Sequence, residues 1–171
     1  MHAKKASKVN ATVIINIDTM NILFVCHGNI CRSVMAEMIM KHFVNRDAGA
    51  RTREWLIDSC ATSTEEIGND IYPPAKRCLA AHGVPFTRHH ARQITREDYD
   101  RFDLILCMEH YNVRNLRHVL GSDVMDADTH RSEPKIRLLI DRDVADPWYT
   151  GDFETTYDDL VEGIERLVKA L

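Results

Sequence analysis

A chain of 171 residues, 44% of them hydrophobic and with a formal net charge of -4, is sized for one core rather than two. Basic and acidic residues are interspersed, so neither nucleic acid nor an anionic membrane surface is expected as a partner, and any bound anion must be bound locally. No apolar stretch reaches the ~18 residues that a membrane span requires. The cysteines number five, an odd count with no CxxC or Cys/His clustering; they read as reduced thiols of a cytoplasmic protein, with no metal or cofactor expected.

The chain begins with three lysines between Met1 and Asn10 and an apolar run from Ala11 to Ile17. Asn10, Asn16 and Asp18 interrupt that pattern and no small-residue cleavage site follows, so it does not read as a secretion signal. Residues 1–20 are expected to form a poorly ordered N-terminal extension, with Met20 a candidate start, and residues 21–171 the folded domain. Strands are predicted at Ile22 to Val25, Trp55 to Ser59, Leu104 to Cys107 and Ile136 to Leu139. Helices are predicted at Ser33 to Val44, Pro73 to His82 and His110 to Leu120, with a short one opening after Thr95, where Thr95 and Asp98 read as a capping box. The last helix is the clearest: Phe153, Tyr157, Leu160, Val161, Ile164, Leu167, Val168 and Leu171 fall at three- and four-residue steps on one apolar stripe. Strands alternating with helices give an α/β fold, a single domain with a four-stranded parallel sheet flanked by helices on both faces in the doubly wound, flavodoxin-like manner.

The informative segment is Val25-Cys26-His27-Gly28-Asn29-Ile30-Cys31-Arg32-Ser33, between a strand and a helix. A loop that leaves a strand and enters a helix directs successive backbone N–H groups at one point, and the helix N-terminus adds positive potential; this is a cradle for phosphate. A thiol at its first position, Cys26, feels the same field as the anion, which favours the nucleophilic thiolate. Arg32 closes the loop with a planar fork suited to two phosphate oxygens. Gly28 and Asn29 tolerate the positive φ that a tight loop tends to need, and Ser33 can donate to the Cys26 sulfur. Taken singly, Cys26 would read as a small buried hydrophobe, Arg32 as a solvated helix residue and Ser33 as an N-cap; their conjunction at this junction favours the phosphate reading.

Attack by a thiolate on phosphorus expels an alkoxide or phenoxide, which calls for a general acid on the opposite side. Asp146, ahead of Pro147, Trp148 and Tyr149, follows the fourth predicted strand, and loops beyond the carboxyl ends of parallel strands converge on one crevice. Asp146-Pro147 alone would read as a turn initiator.

These residues carry a resemblance. VCHGNICRS with Met35 to Glu37, HHARQITREDYDRFDLILCM from His89 to Met108, and ADPWYTGDFETTYDDL from Ala145 to Leu160 are similar to the low-molecular-weight protein tyrosine phosphatases, over about Asn21 to Leu171. The resemblance implies that Cys26 is the nucleophile, Arg32 the phosphate clamp and Asp146 the acid that later activates water, with phosphotyrosine-containing proteins as substrates. It also implies that Asn29, Ser33, Ser59 and His82 form a hydrogen-bond network shaping the loop, and that Cys31 can form a reversible disulfide with Cys26. From the residues alone His82, before Gly83, is a helix C-terminal dipole partner, Cys31 equally a core side chain, and the tandem His89-His90 a solvated loop without function. Val34 stands where the family usually has proline, Glu65 near where many members place an aromatic at the pocket mouth, and Cys60 where alanine is common.

Three other functions share these features. A thioredoxin-coupled arsenate reductase needs relay cysteines near the third strand, and Cys107 has no companion close after it. A protein-arginine phosphatase usually carries a small polar residue where Ile30 stands; branched Ile30 and the aromatic pair Trp148 and Tyr149 suit the flat ring of phosphotyrosine. A non-catalytic phosphate-binding module would be expected to lack Cys26, Arg32 or Asp146, and all three are present.

Overall fold

The computed structural model describes residues 19–46 and 54–171. Four strands, β1 (Thr19–Cys26), β2 (Glu54–Ala61), β3 (Leu104–Cys107) and β4 (Ile136–Leu138), form one sheet in the order β2-β1-β3-β4, with every pairing parallel. Parallel pairing demands crossovers, which the helices supply. They are α1 (Arg32–Arg46), α2 (Pro73–Ala81), α3 (Arg96–Arg101), α4 (His110–Leu120), α5 (Ser122–Thr129), α6 (Pro147–Thr150) and α7 (Phe153–Ala170).

The side-chain period of two in β1 divides the core. Met20, Ile22 and Phe24 face a cluster with α1, α2 and α7 that includes Val34, Ile39, Leu79, Leu160 and Ile164. Leu23 and Val25 face a second cluster with Phe102, Leu116, Leu120 and Met125. Both faces of the sheet are thus covered, as the expected doubly wound architecture requires. Gly163 lets α7 approach the segment after β4, since a Cβ there would stand 2.5 Å from Leu139 Cγ.

The structure differs from the expected elements most at the first strand and in two added helices. β1 starts at Thr19 and fully buries Met20, so the last two residues of the expected extension belong to the sheet; residues 1–18 lie outside the described residues. α5 and α6 were not predicted. α5 buries only Met125 and Asp128, and its hold is polar: Asp128 accepts from the backbone N–H groups of Lys135 and Ile136 and from Tyr99 Oη, ties that hydrophobic periodicity does not register. The Thr95/Asp98 capping box forms as read.

β1 is the point at which the chain order reverses, running to β2 on one side and β3 on the other. The crevice beyond the carboxyl ends of β1 and β3 opens there, and Cys26 is the last residue of β1.

Candidate active site

Residues 26–32 line one cavity of about 580 Å³ together with Glu65, Glu66, Glu109, Tyr111, Asp146, Trp148 and Tyr149. The loop between β1 and α1 is its floor, and the short α6 with its leading Asp146 is one wall. Cys26 is 3% exposed, with Sγ 3.2 Å from the backbone nitrogen of Asn29, which donates to it, and 3.0 Å from Ser33 Oγ.

The direction of the Ser33 hydrogen bond follows from its neighbours. Asn29 Nδ2 donates to both Ser33 Oγ (3.0 Å) and Ser59 Oγ (2.9 Å), while Ser59 Oγ donates to Glu37 Oε2 (2.6 Å). Ser33 therefore accepts from Asn29, and its own proton is left to point at the Cys26 sulfur. A hydroxyl donor stabilises sulfur as thiolate and as leaving group. The carboxylate of Glu37, deep under the loop, is also paired with Lys41.

Asn29 has φ 61°, the sole positive φ outside glycine among the described residues. Its side chain fixes that left-handed geometry by engaging every polar site: besides its two donations, Oδ1 accepts from the backbone N–H of Arg92 at 3.1 Å and from His89 Nε2 at 3.1 Å. His89 Nε2 is also 2.9 Å from the Asn29 backbone oxygen. Gly28, by contrast, does not have positive φ; its lack of a side chain spares a close approach, since a Cβ would stand 3.2 Å from Glu66 Cγ.

The histidine expected in this network was His82, and the structure corrects that to His89. His82 ends α2 away from the loop, pairs with Glu154 Oε2 at 2.7 Å and stacks on Tyr157 with ring centroids 3.7 Å apart. The segment 84–93 instead runs back along the end of β2, where Gln93 bridges Ala61, and carries His89 under Asn29. Burial holds the His89 imidazole below its ordinary pKa, against the hydrogen bond to Asn29 that favours protonation; the neutral ring with a proton on Nε2 matches two oxygen acceptors. The expected contributions of Asn29, Ser33 and Ser59 to the network are all present.

Arg32 is 3% exposed and its Nη2 bridges two carboxylates, Glu109 Oε1 at 2.9 Å and Asp146 Oδ2 at 2.6 Å. Burial opposes the charge, but the Cys26 sulfur, Glu109 and Asp146 outweigh it and hold Arg32 above the ordinary arginine value. Its Nη1 is buried without a hydrogen-bond partner among the described residues, and a buried unpaired guanidinium nitrogen is costly unless an anion meets it. Asp146 caps α6 by accepting from Trp148 N at 3.0 Å, so the turn-initiator reading and the site reading describe the same residue. Trp148 leans on Tyr72 at 5.3 Å between centroids, and Tyr149 is 86% exposed at the cavity rim.

Three cavity-lining residues escaped the sequence reading, Glu66 next to Glu65 being the first. Glu109 lies just beyond β3, and the rule that placed Asp146 at the carboxyl ends of the strands applies to it equally. Tyr111, the second residue of α4, lines the mouth and has no comparable signal. Glu65 accepts from or pairs with His27 Nε2 at 2.9 Å, which puts an acid at the rim as expected. Cys31 packs with Ile30 and Ala91, and its thiol is pushed up to about 12 by burial first and the Cys26 charge next.

Comparison with known proteins agrees with this geometry. The family model for low molecular weight phosphotyrosine protein phosphatase matches residues 21–171. The human protein of that name is 40% identical over 151 residues, covering 84% of this chain and 90% of its own. The crystal structure of the low molecular weight protein tyrosine phosphatase from Streptococcus pyogenes superposes with a TM-score of 0.73 at 36% identity, covering 89% of this chain and 93% of that one. The Drosophila arginine phosphatase superposes with a TM-score of 0.73 at 30% identity, over 88% of this chain and 97% of that one. With the family model spanning nearly all of the described residues, the chain belongs to the low molecular weight phosphotyrosine protein phosphatases.

Proposed function

We propose that the protein hydrolyses phosphotyrosine in proteins, and aryl phosphates generally, through a phosphocysteine on Cys26. The observation that carries this is the opposition, within one cavity, of a Cys26 sulfur held by two donors and an Asp146 carboxyl tethered to Arg32. The substrate phosphate enters the loop between them, and Arg32 Nη1 meets an equatorial oxygen. The Cys26 thiolate forms the S–P bond as the P–O bond to the phenol breaks, and Asp146, protonated, gives its proton to the departing oxygen. Asp146 then takes a proton from water as the water oxygen attacks phosphorus; the S–P bond breaks, and the sulfur returns to the Ser33 hydroxyl as thiolate while inorganic phosphate leaves.

The substrate class is supported by the walls. Buried Ile30 narrows the floor, and Trp148 and Tyr149 flank the mouth, apolar surfaces suited to a planar ring. Rates on phosphotyrosine, phosphoserine and phosphoarginine peptides, measured side by side, test the reading. Phosphotyrosine is expected to lead by at least about tenfold, and Cys26→Ser to retain below about 1% of activity while still binding phosphate. A lead for phosphoarginine, or a Cys26→Ser enzyme with substantial turnover, overturns it.

A further inference from the structure

Away from the phosphate cavity, Cys78 and His82 stand one helical turn apart near the end of α2, facing Glu154 in the first turn of α7. Their ligand atoms all lie within 4.8 Å of one another. Tetrahedral zinc, with bonds of about 2.0 to 2.3 Å, sets its ligands roughly 3.3 to 3.8 Å apart, so a shift of well under a side-chain length closes the set. We propose that Cys78, His82 and Glu154 bind a divalent zinc ion, with water in the fourth position, as a clasp between α2 and α7.

Three observations support the assignment. First, the carboxylate already spans the other two groups, Oε2 lying 2.7 Å from His82 Nε2 and Oε1 3.6 Å from Cys78 Sγ, so sulfur, nitrogen and oxygen are neighbours before any ion binds. Second, the ring of His82 is stacked on Tyr157 with an interplanar angle of 12°, which orients Nε2 before any ion arrives. Third, carboxylates outnumber cations along the groove at the cluster, Asp152 and Glu154 against Arg77, and an excess of negative charge attracts a cation. That groove gives an entry path from solvent.

Binding balances as follows. The Cys78 S–H proton leaves to solvent and Sγ gives its lone pair to zinc. His82 passes its Nε2 proton to Nδ1 through solvent and coordinates through Nε2, and Glu154 exchanges its hydrogen bonds for a metal bond. One proton is released per ion when His82 is neutral. The clasp adjoins the Asp146 segment, because Glu154 follows the Pro147–Thr150 helix by a few residues.

The test uses the full chain in a Cys26→Ser background, which removes the active-site thiolate as a competing ligand and makes the readout independent of phosphatase activity. Zinc is titrated calorimetrically, and cobalt(II) is added to detect thiolate-to-metal charge transfer in the near ultraviolet. One zinc per chain at micromolar or tighter affinity, with the cobalt band, is expected. Adding Cys78→Ser should abolish the band, and His82→Gln or Glu154→Gln, at exposed positions that leave the core alone, should each weaken zinc binding about tenfold or more. No binding in the Cys26→Ser protein, or affinity unchanged by both exposed substitutions, overturns the proposal.

Discussion

His89 Nε2 touches both oxygens of Asn29, the backbone carbonyl at 2.9 Å and the amide oxygen at 3.1 Å, and through Asn29 it fixes the one non-glycine residue with positive φ among those described. A left-handed asparagine costs little when its side chain is fully bonded and of the order of 1 kcal/mol or more when it is not. The loop that surrounds Cys26 thus rests on a neutral imidazole some sixty positions away in the chain.

A pH dependence follows. The folded His89 is held below its unfolded value of ~6.5, so the unfolded chain takes up the proton first as pH falls. The contribution of neutral His89 to stability is complete above about pH 6.5 and is lost as pH drops below it toward the folded value. Wild-type protein should lose more thermal stability between pH 7.5 and 5 than His89→Gln, which keeps a donor that does not titrate. Parallel melting curves for wild type and His89→Gln would remove His89 from the network.

The fold was legible because β1, α2, α4 and α7 announce themselves locally, through β-rich runs, proline at a helix start and a long apolar stripe. The site was legible where chain-local geometry decides it: Cys26, Asn29, Arg32 and Ser33 belong to one short turn. It failed where contact depends on the return path of a loop. The resemblance points to His82, and the tandem His89-His90 reads as a solvated loop; only the course of residues 84–93 along β2 brings His89 under Asn29. The convergence of Cys78 and His82 with Glu154 was hidden for the same reason, since the three meet only once α7 packs on α2.

Asp146→Ala should slow phenol departure most when the phenol is a poor leaving group. A phenol of pKa ~10 needs the proton, whereas a strongly acidic one leaves without it. The dependence of kcat on leaving-group pKa should therefore steepen in the variant, with losses of about 10²-fold or more for the most basic phenols. Because Asp146 also holds Arg32, phosphate affinity of the variant is expected to stay equal or rise, as one competitor for the guanidinium is gone. Identical leaving-group slopes in the two enzymes would show that another group supplies the proton.

The rim of the cavity is acidic, with Glu65, Glu66 and Glu109 contributed by two separate loops and His27 partly answering Glu65. Peptides with lysine or arginine beside the phosphotyrosine should give higher kcat/KM than peptides with flanking acids, by a few-fold at low salt and less at high salt, as befits exposed charges. Glu65→Lys is expected to reverse that order. A preference that ignores both salt and this substitution would mean that flanking residues bind elsewhere.

Cys31 bears on recovery from peroxide. Oxidation of Cys26 gives a sulfenic acid, which Cys31 can capture: the Cys31 thiol attacks the Cys26 sulfur, the S–O bond breaks, and a disulfide and water result. The two largest causes that hold the Cys31 thiol up at about 12 in the reduced protein are burial first and the Cys26 charge second. Oxidation removes the second and leaves the first, so capture becomes easier once Cys26 is oxidised yet stays limited by the packing of Cys31 against Ile30 and Ala91. The disulfide should accordingly form more slowly than the sulfenic acid and faster as pH rises, because the thiolate is the attacking species. Brief peroxide treatment followed by reduction should restore most activity to wild type and markedly less to Cys31→Ser, whose Cys26 has no internal thiol to arrest over-oxidation. Mass spectrometry should find the Cys26–Cys31 link accumulating with a lag behind inactivation. Equal recovery in both proteins, with no such link, would make Cys31 a packing residue alone.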